Sequence, residues 1–173
     1  MCSLDTYKID LKGLDEGENR LSFSLDNDYF KAIDATEVNG GDVHVDLLIQ
    51  RRDNVFTLDF HTEGTVVVPC DVCLDDMEQP IEADDRLVAQ FGEEDSDDGD
   101  EVVTVAEDEG ILDISWHIYE FIALAIPVKH VHAPGKCNAA MIEKFNELSA
   151  ARSGDEDEKT MDPRWNALLK LKE

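Results

Sequence analysis

The 173-residue sequence predicts an α+β fold: an antiparallel, partly closed sheet over residues 5–105, with a helix over 113–126 packed on it. Three observations predict it. Apolar and polar residues alternate through much of the first half, which is the period of a strand buried on one face. Near residue 110 the period lengthens to that of a helix. Strands come first and helices after, the order of an α+β chain rather than of alternating βαβ units. The length suits one domain with a core of its own. We assign it to residues 1–150, followed by a linker at 151–161 and a short amphipathic helix at 162–172.

The elements follow in order. Tyr7, Ile9 and Leu11 alternate with Lys8 and Asp10, and Leu21, Phe23 and Leu25 alternate with Ser22 and Ser24, so both stretches read as strands. Asp26 opens one or two helical turns as a capping acid. Asn39-Gly40-Gly41 reads as a turn. Val43, Val45, Leu47 and Ile49 then form a strand, Arg51–Asn54 a polar turn, and Phe56, Leu58 and Phe60 the next strand. Glu63-Gly64 reads as a second turn, into Thr65–Val68, which completes a three-stranded meander. Leu87, Ala89 and Phe91 supply a further strand.

Seven of the nine residues 93–101 are acidic, a charge density that predicts a solvated loop. Asp113 is the expected N-cap of the long helix. Ile114, Ile118, Phe121, Ile122 and Ala125 make its apolar face, Leu124 and Ile126 widen it, and Pro127 ends it. Met141, Phe145 and Leu148 mark a second amphipathic helix. In the tail, Asp162-Pro163 opens a helix whose Trp165, Leu168 and Leu169 share one face.

Fifteen Lys and Arg stand against 41 Asp and Glu, a formal charge of −26. Such a chain does not coat nucleic acid or an anionic membrane, both of which need a basic face. No apolar run approaches the roughly 20 residues of a membrane span. Met1–Thr6 has neither a basic segment nor an apolar core, so no signal peptide is expected and a cytoplasmic location is the default.

The pattern with most chemical content is Cys70-x-x-Cys73 together with His132-x4-Cys137. A Cys-x-x-Cys turn presents two thiolates to one tetrahedral ion, and a His/Cys pair on a second loop can close the site, as in zinc knuckles. Four protein ligands leave no open position, so the zinc would be structural. His130 offers the same donor as His132 two residues earlier, and two reduced thiols beside the core remain a reading of Cys70 and Cys73. Thiol redox catalysis needs a lowered thiol pKa. The neighbours Asp71, Asp75 and Asp76 are expected to raise it instead.

His44 and His61 fall on polar strand faces and His117 on the long helix, positions of solvent-facing or satisfied histidines. Lys129, His130, His132 and Lys136 gather about the metal loop, where phosphate contact is feasible. Arg51 and Arg52 read as a solvated hairpin tip. There is no glycine-rich phosphate loop and no G-x-S-x-G elbow. The expectation is a protein that is not an enzyme and takes no small-molecule substrate.

Val68-Pro-Cys-Asp-Val-Cys-Leu74 resembles a stretch characteristic of the YceD family, the large ribosomal RNA subunit accumulation proteins. So do Ile111–Ser115, Glu120-Phe-Ile-Ala-Leu-Ala-Ile-Pro127 and His132-Ala-Pro-Gly-Lys-Cys-Asn138, and the closing Asp162-Pro-Arg-Trp with its following leucines. The similarity runs over about residues 20–172, and its most specific feature is the order of these pieces. His132 stands where many relatives carry cysteine. The resemblance implies a bacterial cytoplasmic factor needed for accumulation of large-subunit ribosomal RNA. With the charge of −26, it implies binding to a basic ribosomal protein or another assembly factor, with any RNA contact local. A zinc-ribbon interaction module in transcription and a thiol oxidoreductase are the alternative readings.

Overall fold

The computed structural model describes residues 4–92, 96–97 and 102–148, the backbone alone at 96 and 97. Most of the acidic loop, the linker and the Trp165 helix lie outside the described residues. The chain divides into two units, Met1–Asn138 and Ala139–Glu173.

The first unit opens with a 3-10 turn (Leu4–Tyr7), then β1 (Lys8–Asp10), β2 (Gly17–Leu25) and helix α1 (Asn27–Ala32). Asp26 caps α1 as expected, its carboxylate accepting from the N–H groups of Asp28 and Tyr29. There follow β3 (Gly40–Arg52), β4 (Val55–Pro69), β5 (Asp76–Gly92), β6 (Ser96–Asp97), β7 (Val102–Ala106), β8 (Ile111–Asp113) and helix α2 (Ser115–Ala125). The described part of the second unit is helix α3 (Ala139–Leu148), which buries none of its side chains. Among the described residues no helix is long and apolar enough to cross a membrane.

The fold is α+β. Six strands pair in the order β2-β3-β4-β5-β7-β6, and β1 pairs with β8 in a separate ribbon. Among the described residues the strand pairing closes no barrel. The sheet is not wholly antiparallel: β7 runs parallel to β5, with Val88 opposite Val102 and Gly92 opposite Ala106. Parallel neighbours need a return path. It passes through β6, which pairs antiparallel with β7 on the side away from β5.

Two expected turns fall in strands instead, the first at the opening of β3 and the second inside β4. Gly41 lies in β3 and Gly64 in the middle of β4, and Val43 stands opposite Gly64 and Gly41 opposite Val66. A Cβ on Gly41 would come within 2.6 Å of the Thr65 carbonyl oxygen. A Cβ on Gly64 would strike the Asp42 carbonyl oxygen and lie 2.7 Å from Val43 Cα. These glycines let two backbones approach closely, which is the other use of the residue that signals a turn. Strand β5 also extends well upstream of Leu87, to Asp76. Its first half carries few apolar residues and includes Pro80. Proline is tolerated there because β5 meets β7 only from Val88 onward, so this stretch is an edge.

The core is the inner face of the sheet closed by α2. Val45, Leu47 and Ile49 of β3, Phe56, Leu58 and Phe60 of β4, and Leu87 and Ala89 of β5 are buried with Ile114, Ile118 and Ile122. Each such aliphatic or aromatic side chain contributes about 1.5–3 kcal/mol by leaving water. Phe121 stacks on Phe60 at 5.1 Å between ring centres. Leu124, expected in the buried face, is 80% exposed: the sheet covers one side of α2 only. Asp113 ends β8 and stabilises the helix start from one residue further out, accepting from the Ser115 N–H at 2.9 Å and its hydroxyl at 2.6 Å. Arg51 is not a solvated tip. Its guanidinium donates to the carbonyls of Lys12 and Leu14 and lies over the Phe56 ring at 5.6 Å.

Candidate metal centre

Two turns build the centre. Strand β4 ends at Pro69, and the chain folds back at once: Cys70 N–H donates to Asp75 O at 2.9 Å and Leu74 N–H to Cys70 O at 2.9 Å. Leu74 takes a left-handed conformation (φ 62°) to close this turn. Cys70 and Cys73 thereby face the same side, both buried. The second turn follows α2. Pro127 prevents the helix from continuing, and Lys136 N–H donates to Ala133 O at 2.9 Å across a turn in which Gly135 holds φ 80°. That turn separates His132 from Cys137.

The four side chains meet. Cys73 Sγ is 3.3 Å from His132 Nδ1, Cys70 Sγ is 3.9 Å from Cys137 Sγ, and Cys137 Sγ is 3.9 Å from His132 Nδ1. All four donor atoms lie within 4.8 Å of one another. Zinc–sulfur bonds of about 2.3 Å in a tetrahedron require sulfurs about 3.8 Å apart, and a shorter zinc–nitrogen bond brings the sulfur–nitrogen edge to about 3.6 Å. The observed separations bracket those edges, so the cluster can hold a metal ion with little adjustment. Three thiols and an imidazole are a donor set that suits zinc.

His130 does not compete with His132 for this place. Its Nδ1 lies 3.0 Å from Pro127 O and its Nε2 3.5 Å from an Asp71 carboxylate oxygen. Its own N–H donates to Asp71 at 2.8 Å, and Asp71 N–H donates to His130 O at 3.0 Å. On the other side of the centre, Asn138 donates to Asp75 at 3.1 Å. These fasteners between the two turns carry no sequence pattern, because Asx contacts to distant backbone have no fixed spacing.

The electrostatics correct one expectation. Burial alone would raise the Cys70 thiol, but backbone N–H groups of Cys73, Val72 and His132 point at its sulfur, and its pKa falls to about 6. The neighbouring acids do not oppose this because they are turned elsewhere: Asp71 to His130, Asp75 to Asn138, and Asp76 to the Asn39 amide at 2.7 Å. Cys137 is pushed up to about 11, by burial and then by the adjacent Cys70 and Cys73. One thiolate is welcome in the cluster and a second is resisted until a cation compensates it.

Of the other residues singled out, His61 Nδ1 pairs with Asp84 at 2.8 Å and His44 lies 3.3 Å from Asp46, both on the outer sheet face. A shallow cavity of about 730 Å³ lies there, lined in part by His61, Asp84, Asp59 and Arg86. His117, its side chain 13% exposed, faces Glu120 at 3.6 Å.

The comparisons with known proteins fit this constellation. No curated protein and no solved structure matches the chain. Residues 58–172 match the family model described as large ribosomal RNA subunit accumulation protein YceD, a stretch that takes in both ligand pairs, and the chain therefore belongs to the YceD family.

Proposed function

We propose that this protein is a non-catalytic assembly factor that supports accumulation of large-subunit ribosomal RNA by binding a basic ribosomal protein or another assembly factor in the cytoplasm. The observation that carries the reading is membership of a family described by that accumulation. The charge of −26 supports a basic partner, because opposite fields speed encounter and disfavour binding to bare RNA. Any RNA contact is local, and Lys129 and Lys136 on the candidate metal loop would supply its cations.

Zinc in the Cys70, Cys73, His132 and Cys137 cluster would tie the end of β4 to the segment after α2. The four donors complete its coordination and leave no position for a substrate, so the ion would hold the fold rather than act on a ligand. The acidic residues 93–101 and the Trp165 segment are further candidate contacts, chosen on sequence.

The test is a strain lacking the gene, complemented with the wild-type chain, with residues 93–101 neutralised to Asn, Gln and Ser, or with Trp165→Ala. Sucrose gradients and precursor large-subunit RNA are the readouts. A shortage of large subunits, restored by wild type, is expected. Normal subunit ratios and normal RNA in the deletion strain would overturn the reading.

A further inference from the structure

Helix α2 turns one side to the core and leaves the other with large apolar groups in water. Trp116 is 51% exposed, Leu124 80% and Val128, just past the helix end, fully exposed. Exposed apolar groups collected on one element mark interaction sites far more often than the same groups scattered. Val128 lines a groove of about 380 Å³, chiefly with Val68, Pro69, Ala123, Ile126 and Pro127.

The groove has a fixed wall. Tyr119 stacks against Trp116 at 5.3 Å between ring centres, and its hydroxyl oxygen accepts from the N–H groups of Thr36 (3.3 Å) and Glu37 (3.4 Å). That contact anchors the α1–β3 connection beside the helix, and Thr36 and Glu37 themselves line the groove. Tyr119 is itself buried, but Trp116, Tyr119 and Ala123 follow at helical spacing, so the tryptophan stands on the same side of α2 as the groove residue Ala123. Two acids lie on this side, Glu37 in the lining and Glu120 one turn after Trp116 on the helix, and the other polar lining groups are Thr36 and His130. The imidazole at the groove's edge, His130, is already held by Asp71.

We propose that this strip, from Trp116 through the groove to Val128, is the docking surface for an apolar segment flanked by lysine or arginine on a protein partner. The inference rests on the assembly reading above and adds a place and a chemistry to it. The apolar groups would enter beside Ala123 and Pro127, and the flanking cations would face Glu37 and Glu120, an apolar centre with a charged rim.

The experiment installs the photo-crosslinker benzoylphenylalanine at Val128 in the full-length chain, in the complemented deletion strain, and identifies the crosslinked peptide by mass spectrometry. The expected product is a Lys- or Arg-flanked apolar segment of a ribosomal protein or assembly factor. Its yield should drop at least fivefold with Leu124→Ser or with Glu37→Lys, surface changes that leave the circular dichroism of the protein unchanged. Crosslinks to RNA, to a second copy, to residues 149–173 of the same chain, or none at all would overturn the surface, as would a yield indifferent to both substitutions. No crosslink from the otherwise unsubstituted chain, in a strain whose large subunits still depend on the gene, sinks the surface and leaves the assembly reading standing; a deletion strain with normal subunits sinks the reading itself.

Discussion

Asp71 and His130 hold each other through the main chain: the Asp71 carboxylate accepts the His130 N–H at 2.8 Å while the Asp71 N–H donates to the His130 carbonyl at 3.0 Å. The two residues stand 59 apart in sequence, each within two positions of a donor of the candidate metal centre. Their contact brings the two ligand-bearing turns together through protein groups alone, which reduces the ordering left for an ion to impose.

Asp71→Ala should therefore weaken zinc without removing a ligand. Partners that orient ligands are worth about 10–100-fold in metal affinity. Equilibrium competition with a chromogenic chelator should show zinc held more weakly by a factor in that range, with one equivalent still bound when no chelator is present. An unchanged affinity would show that the clamp does not prepare the site.

Cys70→Ser should remove the metal. Wild-type protein is expected to carry about one zinc per chain by elemental analysis, and the variant essentially none. Because the ion joins segments far apart in sequence, its loss should cost at least about 2 kcal/mol, or roughly 4–8 °C in melting temperature for a chain of this size. Metal-free wild type of undiminished stability would contradict a structural zinc.

The hydrogen bond that the His61 ring donates to the Asp84 carboxylate is the main cause of a raised His61 pKa, opposed by desolvation. His61 should titrate above its ordinary value of about 6.5 in a histidine NMR titration, and Asp84→Asn should bring it back toward that value. The sign for stability follows. The pair's contribution is fully present below about pH 6.5 and fades as pH rises through the raised pKa. The Asp84 side chain is largely exposed and that of His61 nearly half so, and water screens the pair, so the effect on melting should be small. A His61 titration indifferent to Asp84→Asn would place the cause elsewhere.

Gly64→Ala should destabilise the sheet, by about 2 kcal/mol or more, since the new methyl group meets the main chain of Asp42 and Val43. Gly17→Ala is the matched control. Gly17 holds φ 99°, but nothing lies within 4 Å of the added carbon, so only the backbone strain of about 1 kcal/mol remains. Equal urea midpoints for the two variants would refute the close-approach argument.

Much of the fold can be read directly from the residues. Alternation marked β2, β3, β4 and the end of β5, the acid at position 26 marked the start of α1, and the shift to helical spacing marked α2. The two donor pairs that the fold brings together were also legible, because Cys-x-x-Cys is a local pattern and a local turn realises it. Tertiary structure decided the rest. Gly64 signals a turn by its type, yet the facing strand β3 makes it a point of backbone contact. Leu124 is as apolar as Ile122, and only the position of the sheet makes one exposed and the other buried. Asp71, Asp75 and Asp76 surround the cysteines in sequence, but their side chains are drawn to His130, Asn138 and Asn39, which leaves main-chain N–H groups to set the thiol at position 70. Local spacing determines which donors a turn can present. Which turns meet, and which way each carboxylate points, depends on contacts between residues far apart in the chain, and those exist only once the sheet and α2 have packed.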